Sequence, residues 1–80
     1  MWLIRLDAHL PGDMDPEVRA DLIQRSTDLV ATWPDASIWR GIGHWTIVSL
    51  VDTDDPHGLV SALPVARWCA VQIEPLVSLK

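Results

Sequence analysis

The chain reads as an α+β domain of order β-α-β-β-α-β, a ferredoxin-like arrangement with a four-stranded antiparallel sheet and both helices on one face. Three observations carry this expectation. Two aspartate–proline pairs, Asp15-Pro16 and Asp55-Pro56, each mark a helix start. Trp2 to Ala8 alternates at the two-residue period of strands, and Thr46 to Asp52 is the most β-branched segment of the chain. Pro34 and Pro64 close the helices, because the residue before a proline is pushed out of the helical region.

In chain order, Trp2 to Ala8 places Trp2, Ile4, Leu6 and Ala8 on one face and Leu3, Arg5 and Asp7 on the other, a half-buried strand that Pro11-Gly12 breaks. Asp15 then caps a helix whose first turn holds Glu17 beside the positive end of the dipole. Val18, Leu22, Leu29, Val30 and Trp33 form its apolar stripe, which predicts a helix to about Trp33. Ser26 is the polar position on that stripe. Ile38 to Gly43 and Thr46 to Asp52 read as two strands joined tightly around His44, with Trp39 and Trp45 on one shared face. Thr53-Asp54-Asp55-Pro56 starts a short helix through Leu63, weakened by Gly58. Trp68 to Ile73 is the last strand, before Glu74-Pro75.

Eighty residues form a single domain, 1–80, too short to divide its apolar residues between two cores. Five tryptophans, with no Phe or Tyr, are hard to hide in one small core, so self-association is expected. A net charge of −5, with six basic residues scattered along the chain, excludes a nucleic-acid footprint. No apolar run approaches the ~20 residues of a membrane span. A single cysteine, Cys69, and no signal-peptide pattern fit a cytoplasmic protein.

Chemistry is concentrated in SIWRGIGHW, residues 37–45. Arg40 and His44 are ~13 Å apart along an extended strand, at about 3.3 Å per residue, so they form no hydrogen-bonded dyad. A guanidinium between Ile38 and Ile42 calls for an anion, supplied either by a ligand or by a protein carboxylate. His9, His44 and His57 can each act as a general base near neutral pH, although each falls near an element end, where solvated surface histidines are common. None forms a metal-spaced pair, so a metal site is not expected. Ser26 lacks a Gly-x-Ser-x-Gly elbow, and Cys69 reads as an inert buried thiol.

The segment Ile38-Trp39-Arg40 with Gly43-His44-Trp45 resembles the corresponding LWR-x-x-GHY stretch of muconolactone delta-isomerases. His9-Leu10-Pro11, Asp13-Met14-Asp15-Pro16, Ser49, Asp52, His57, Leu63-Pro64 and Ile73-Glu74-Pro75-Leu76 match in the same order. The resemblance covers almost the whole chain. It implies a ferredoxin-like protomer forming a dimeric α+β barrel within a larger ring of dimers. It also implies a cofactor-independent isomerase that shifts a carbon–carbon double bond in an unsaturated lactone bearing a carboxylate, by proton abstraction and return. Arg40 falls on the family arginine and holds the carboxylate, with Trp39, His9 and Ser49 as further substrate-binding positions. His57, His44 and Ser26 are the catalytic candidates. Ser26 falls where the family carries an acidic residue on the inner face of the first helix. That departure leaves as alternatives a cyclase or other tailoring enzyme of a natural-product pathway, or a binding homologue without catalysis.

Overall fold

Alternation along the first strand decides which side of the sheet is dry. Ile4 and Leu6 are fully buried while Arg5 between them is exposed, as a pleated strand with one covered face requires. The computed structural model describes residues 1–34, 37–41 and 45–79. Within them the elements are β1 (Trp2–Ala8), α1 (Pro16–Val30), β2 (Ser37–Arg40), β3 (Thr46–Val51), α2 (Pro56–Ser61), a 3-10 turn (Ala66–Trp68) and β4 (Cys69–Pro75).

The sheet order is β2-β3-β1-β4, with each neighbouring pair antiparallel. Registers such as Ile4↔Ser49, Ile38↔Ser49 and Ile4↔Ile73 put these residues on the helix-covered face. Ile4, Leu6, Ile47 and Val51 meet Val30, Trp33, Val60, Leu63 and Val65 there in one hydrophobic core. The ferredoxin-like expectation holds.

Capping chemistry sets both helix starts. Asp15 accepts a hydrogen bond from the Glu17 N–H at 2.8 Å, and Asp55 accepts one from the Gly58 N–H at 2.9 Å. Each bond satisfies a donor that lacks an intrahelical partner. Gly58 leaves room for the Asp55 carboxylate, which any Cβ at that position would strike. The residue that lowers helix propensity is the one the cap needs.

Several boundaries and faces differ from the sequence expectation. α1 ends at Val30, and Trp33 enters the core from the following turn, where its N–H meets the Val30 carbonyl at 3.1 Å. The buried stripe is Leu22, Ser26 and Val30; Val18 is 51% exposed and Leu29 is 39% exposed. A strict four-residue repeat therefore replaces the broader stripe read from hydropathy. Trp39 and Trp45 lie on opposite faces. Trp39, opposite Val48, is 56% exposed on the open side, whereas Trp45 is buried and its indole N–H donates to Thr27 Oγ1 at 3.1 Å. β2 stops at Arg40 instead of running to Gly43, so strand parity is not carried across to β3. β4 starts one residue later than expected and extends through Pro75, which an edge strand tolerates.

Candidate active site

The ends of three strands converge on one rim of the sheet. β1 ends there at Ala8, β2 at Arg40, and β3 begins just after Trp45. The Ala8 N–H donates to the Trp45 carbonyl and the Gly41 N–H to the Thr46 carbonyl, fixing these ends against one another. The N-terminal half of α1 starts at the same rim. It presents Arg19 and Ile23, one turn apart, on the stripe that continues to Thr27.

Between that stripe and the strand ends lies a cavity of about 510 Å³, within the roughly 300–1,000 Å³ of small-molecule sites. Leu10, Ile23 and Trp45 supply apolar wall, and Arg40, Arg19 and His9 supply the polar groups. Among the described residues, its charged or titratable side chains are all basic. Arg40 reaches it from the helix-facing side of the sheet, since its partner Ile47 points into the core. No carboxylate among the described residues pairs with Arg40, whereas Arg5 is held by Asp7 at 3.2 Å and Arg25 by Asp21 at 2.9 Å. Arg19 is steadied by one bond, from Nη2 to the Pro11 carbonyl at 2.7 Å.

Of the residues singled out from sequence, Arg40 and His9 line this cavity together. Ser26 does not. It is completely buried, and its Oγ accepts the Val65 N–H at 3.3 Å, tying α1 to the segment before β4. A hydroxyl so placed relieves a buried backbone donor and carries no proton for a ligand. Ser49 is likewise fully buried on the helix-covered face, away from the cavity walls; its hydroxyl has no partner among the described residues. His57 is exposed in the first turn of α2, at the opposite rim, where the Trp2 indole N–H bonds the Thr53 carbonyl at 3.0 Å. Trp39 lies on the open face, and His44 lies outside the described residues. Among the described residues no cluster of His, Cys, Asp and Glu has a metal-binding arrangement.

Arg19 and Ile23 were not foreseen as site residues. The signal available in the sequence was their four-residue spacing with Thr27 on a stripe adjacent to the buried one. Two other titratable groups near this rim are in structural use. Thr46 Oγ1 donates to Asp7 Oδ1 at 2.8 Å, and this bond, together with the Arg5 contact, holds the Asp7 carboxyl below its ordinary value. Burial pushes the Cys69 thiol up, and Asp7 adds to that effect. Its Sγ donates to the Val65 carbonyl at 3.4 Å, the behaviour of an inert thiol.

Comparison with known proteins places this geometry in context. Residues 1–79 match the family model described as muconolactone delta-isomerase. A muconolactone delta-isomerase from Rhodococcus opacus is 32% identical, the match covering 95% of this chain and 89% of that protein. A relative of the same name from Acinetobacter lwoffii is 27% identical over 95% of this chain and 86% of its own length. The crystal structure of a muconolactone isomerase superposes with a TM-score of 0.82 at 21% identity, covering 96% of this chain and 88% of that one, which establishes the shared fold.

Proposed function

The chain belongs to the muconolactone delta-isomerase family, and from that premise we propose that it is a cofactor-independent isomerase moving a carbon–carbon double bond within an unsaturated lactone that carries a carboxylate. The observation that carries this reading is a single cavity in which Arg40 and His9 face apolar walls. Arg40 anchors the substrate carboxylate through its planar fork of donors. Among the described residues lining the cavity, His9 carries the imidazole that serves as proton carrier. It removes a proton from the carbon conjugated through the double bond with the lactone carbonyl, the electron pair delocalises into a dienolate, and the proton returns at the other end of the conjugated system. No electron leaves the substrate, so the reaction balances without a redox partner.

Leu10, Ile23 and Trp45 hold the ring and limit water at the reacting carbons. A second copy of the chain covers the open face of the sheet; the exposed indole of Trp39 and the half-buried Leu3, Val48 and Leu50 on that face support this. Incubation of the purified protein with muconolactone, followed by NMR for migration of the vinyl proton, tests the reading. Folded protein without turnover would remove it.

A further inference from the structure

An acidic chain has directed two guanidiniums into one small cavity, and a monocarboxylate needs only one of them. Arg40 enters from the sheet wall and Arg19 from the helix wall. No acid among the described residues pairs with either. The charge of the second guanidinium is therefore left for something that enters the cavity.

We infer that Arg19 is the second anion-binding group of the site, meeting the oxygen on which negative charge develops while Arg40 holds the carboxylate. This rests on the proposed reaction: abstraction of a proton from the carbon conjugated through the double bond with the lactone carbonyl moves charge onto that oxygen. The two features of Arg19 suit the task. Its Nη2 is already held by the Pro11 carbonyl at 2.7 Å, so part of the ordering cost of the side chain is met before ligand arrives. The remaining N–H groups of the planar fork are left to donate. A donor oriented in advance toward developing charge lowers the barrier more than it tightens ground-state binding. Trp45, on the same cavity, reports occupancy by fluorescence.

The test uses adipate, whose two carboxylates mimic the two charged ends, and hexanoate, which offers one. Both are titrated by calorimetry and tryptophan fluorescence against the wild type, Arg19→Gln and Arg19→Lys. Adipate should bind the wild type ~10-fold more tightly than hexanoate, the effect of one added charge-assisted contact. Arg19→Gln should abolish that preference and leave hexanoate binding unchanged, and Arg19→Lys should restore part of it. An adipate affinity that Arg19→Gln leaves intact, with the variant folded by circular dichroism, overturns the inference. With muconolactone as substrate, Arg19→Gln should lower kcat by ~10²-fold with KM little changed; a change in KM alone overturns the assignment to the developing oxyanion. Failure of the wild type to turn over muconolactone removes the proposed reaction, while the adipate comparison still decides whether Arg19 binds an anion.

Discussion

Two adjacent stripes of one helix have opposite fates in this protein. Leu22, Ser26 and Val30 point into the core, and the one polar member is consumed by a backbone N–H of a distant segment. Arg19, Ile23 and Thr27, a single position away around the helix, border the cavity or the indole that walls it. The difference is what packs opposite. The first stripe meets the centre of the sheet and the segment leading into β4, where every polar group must find an internal partner. The second faces the ends of strands at the rim, where the cavity lies. Position on a helix thus decides whether a polar side chain is structural or available, and a shift of about 100° is enough to change the answer.

The sharpest way to break this contrast is to install an acid on the wrong stripe. Ser26→Glu places a carboxylate where no water or cation reaches it, so the fold should lose more than about 3 kcal/mol. Its melting temperature should fall by more than about 10 °C. A stable variant that gained lactone isomerisation would show that this stripe borders the substrate after all. Next in size is Arg40→Ala, which should lower kcat/KM ~10²-fold, mainly by raising KM, while thermal stability changes little. Unchanged kinetics in that variant would leave the cavity without its anchor.

Asp7 sharpens the comparison from the other side of the sheet, because it occupies Arg5 as no described acid occupies Arg40. Its folded-state pKa lies below the ordinary 3.8, through the Thr46 hydroxyl and Arg5. The stabilisation it gives is therefore present above that value and disappears as pH falls through the lower, folded one. Asp7→Asn should lower stability slightly at neutral pH and flatten this acid limb in a circular-dichroism titration. An unaltered limb would mean that the contact contributes nothing. The smallest effect is expected at His57. His57→Ala should keep kcat and KM within about twofold, as for a surface position away from the site, because that ring is exposed at the opposite rim. Lost turnover would show that the site is completed across an interface between copies.

Much of this architecture was legible in the sequence because it depends on local rules. Aspartate before proline starts both helices through hydrogen bonds spanning two or three residues. The alternation of Trp2–Ala8 assigned its own faces correctly because a pleat has no other period. Arg40 declared itself as a charge flanked by isoleucines, and His9 lay in the ordered set of motifs that carried the family resemblance. Other positions were not decided locally. Val18 and Leu29 have the hydropathy of core residues, yet no described element covers them. Trp39 and Trp45 part company because β2 and β3 are separate strands with independent parity. Ser26, Ser49 and His57 were reasonable chemical candidates by residue type, but type does not reveal that two of them are sealed in the core and the third faces the far rim. The sequence alone determined the element order and the caps, since each follows from contacts within a few residues. Only the tertiary structure decided which side chains share a cavity, since that depends on the lengths of strands and helix brought together from positions up to 37 residues apart, Ala8 to Trp45.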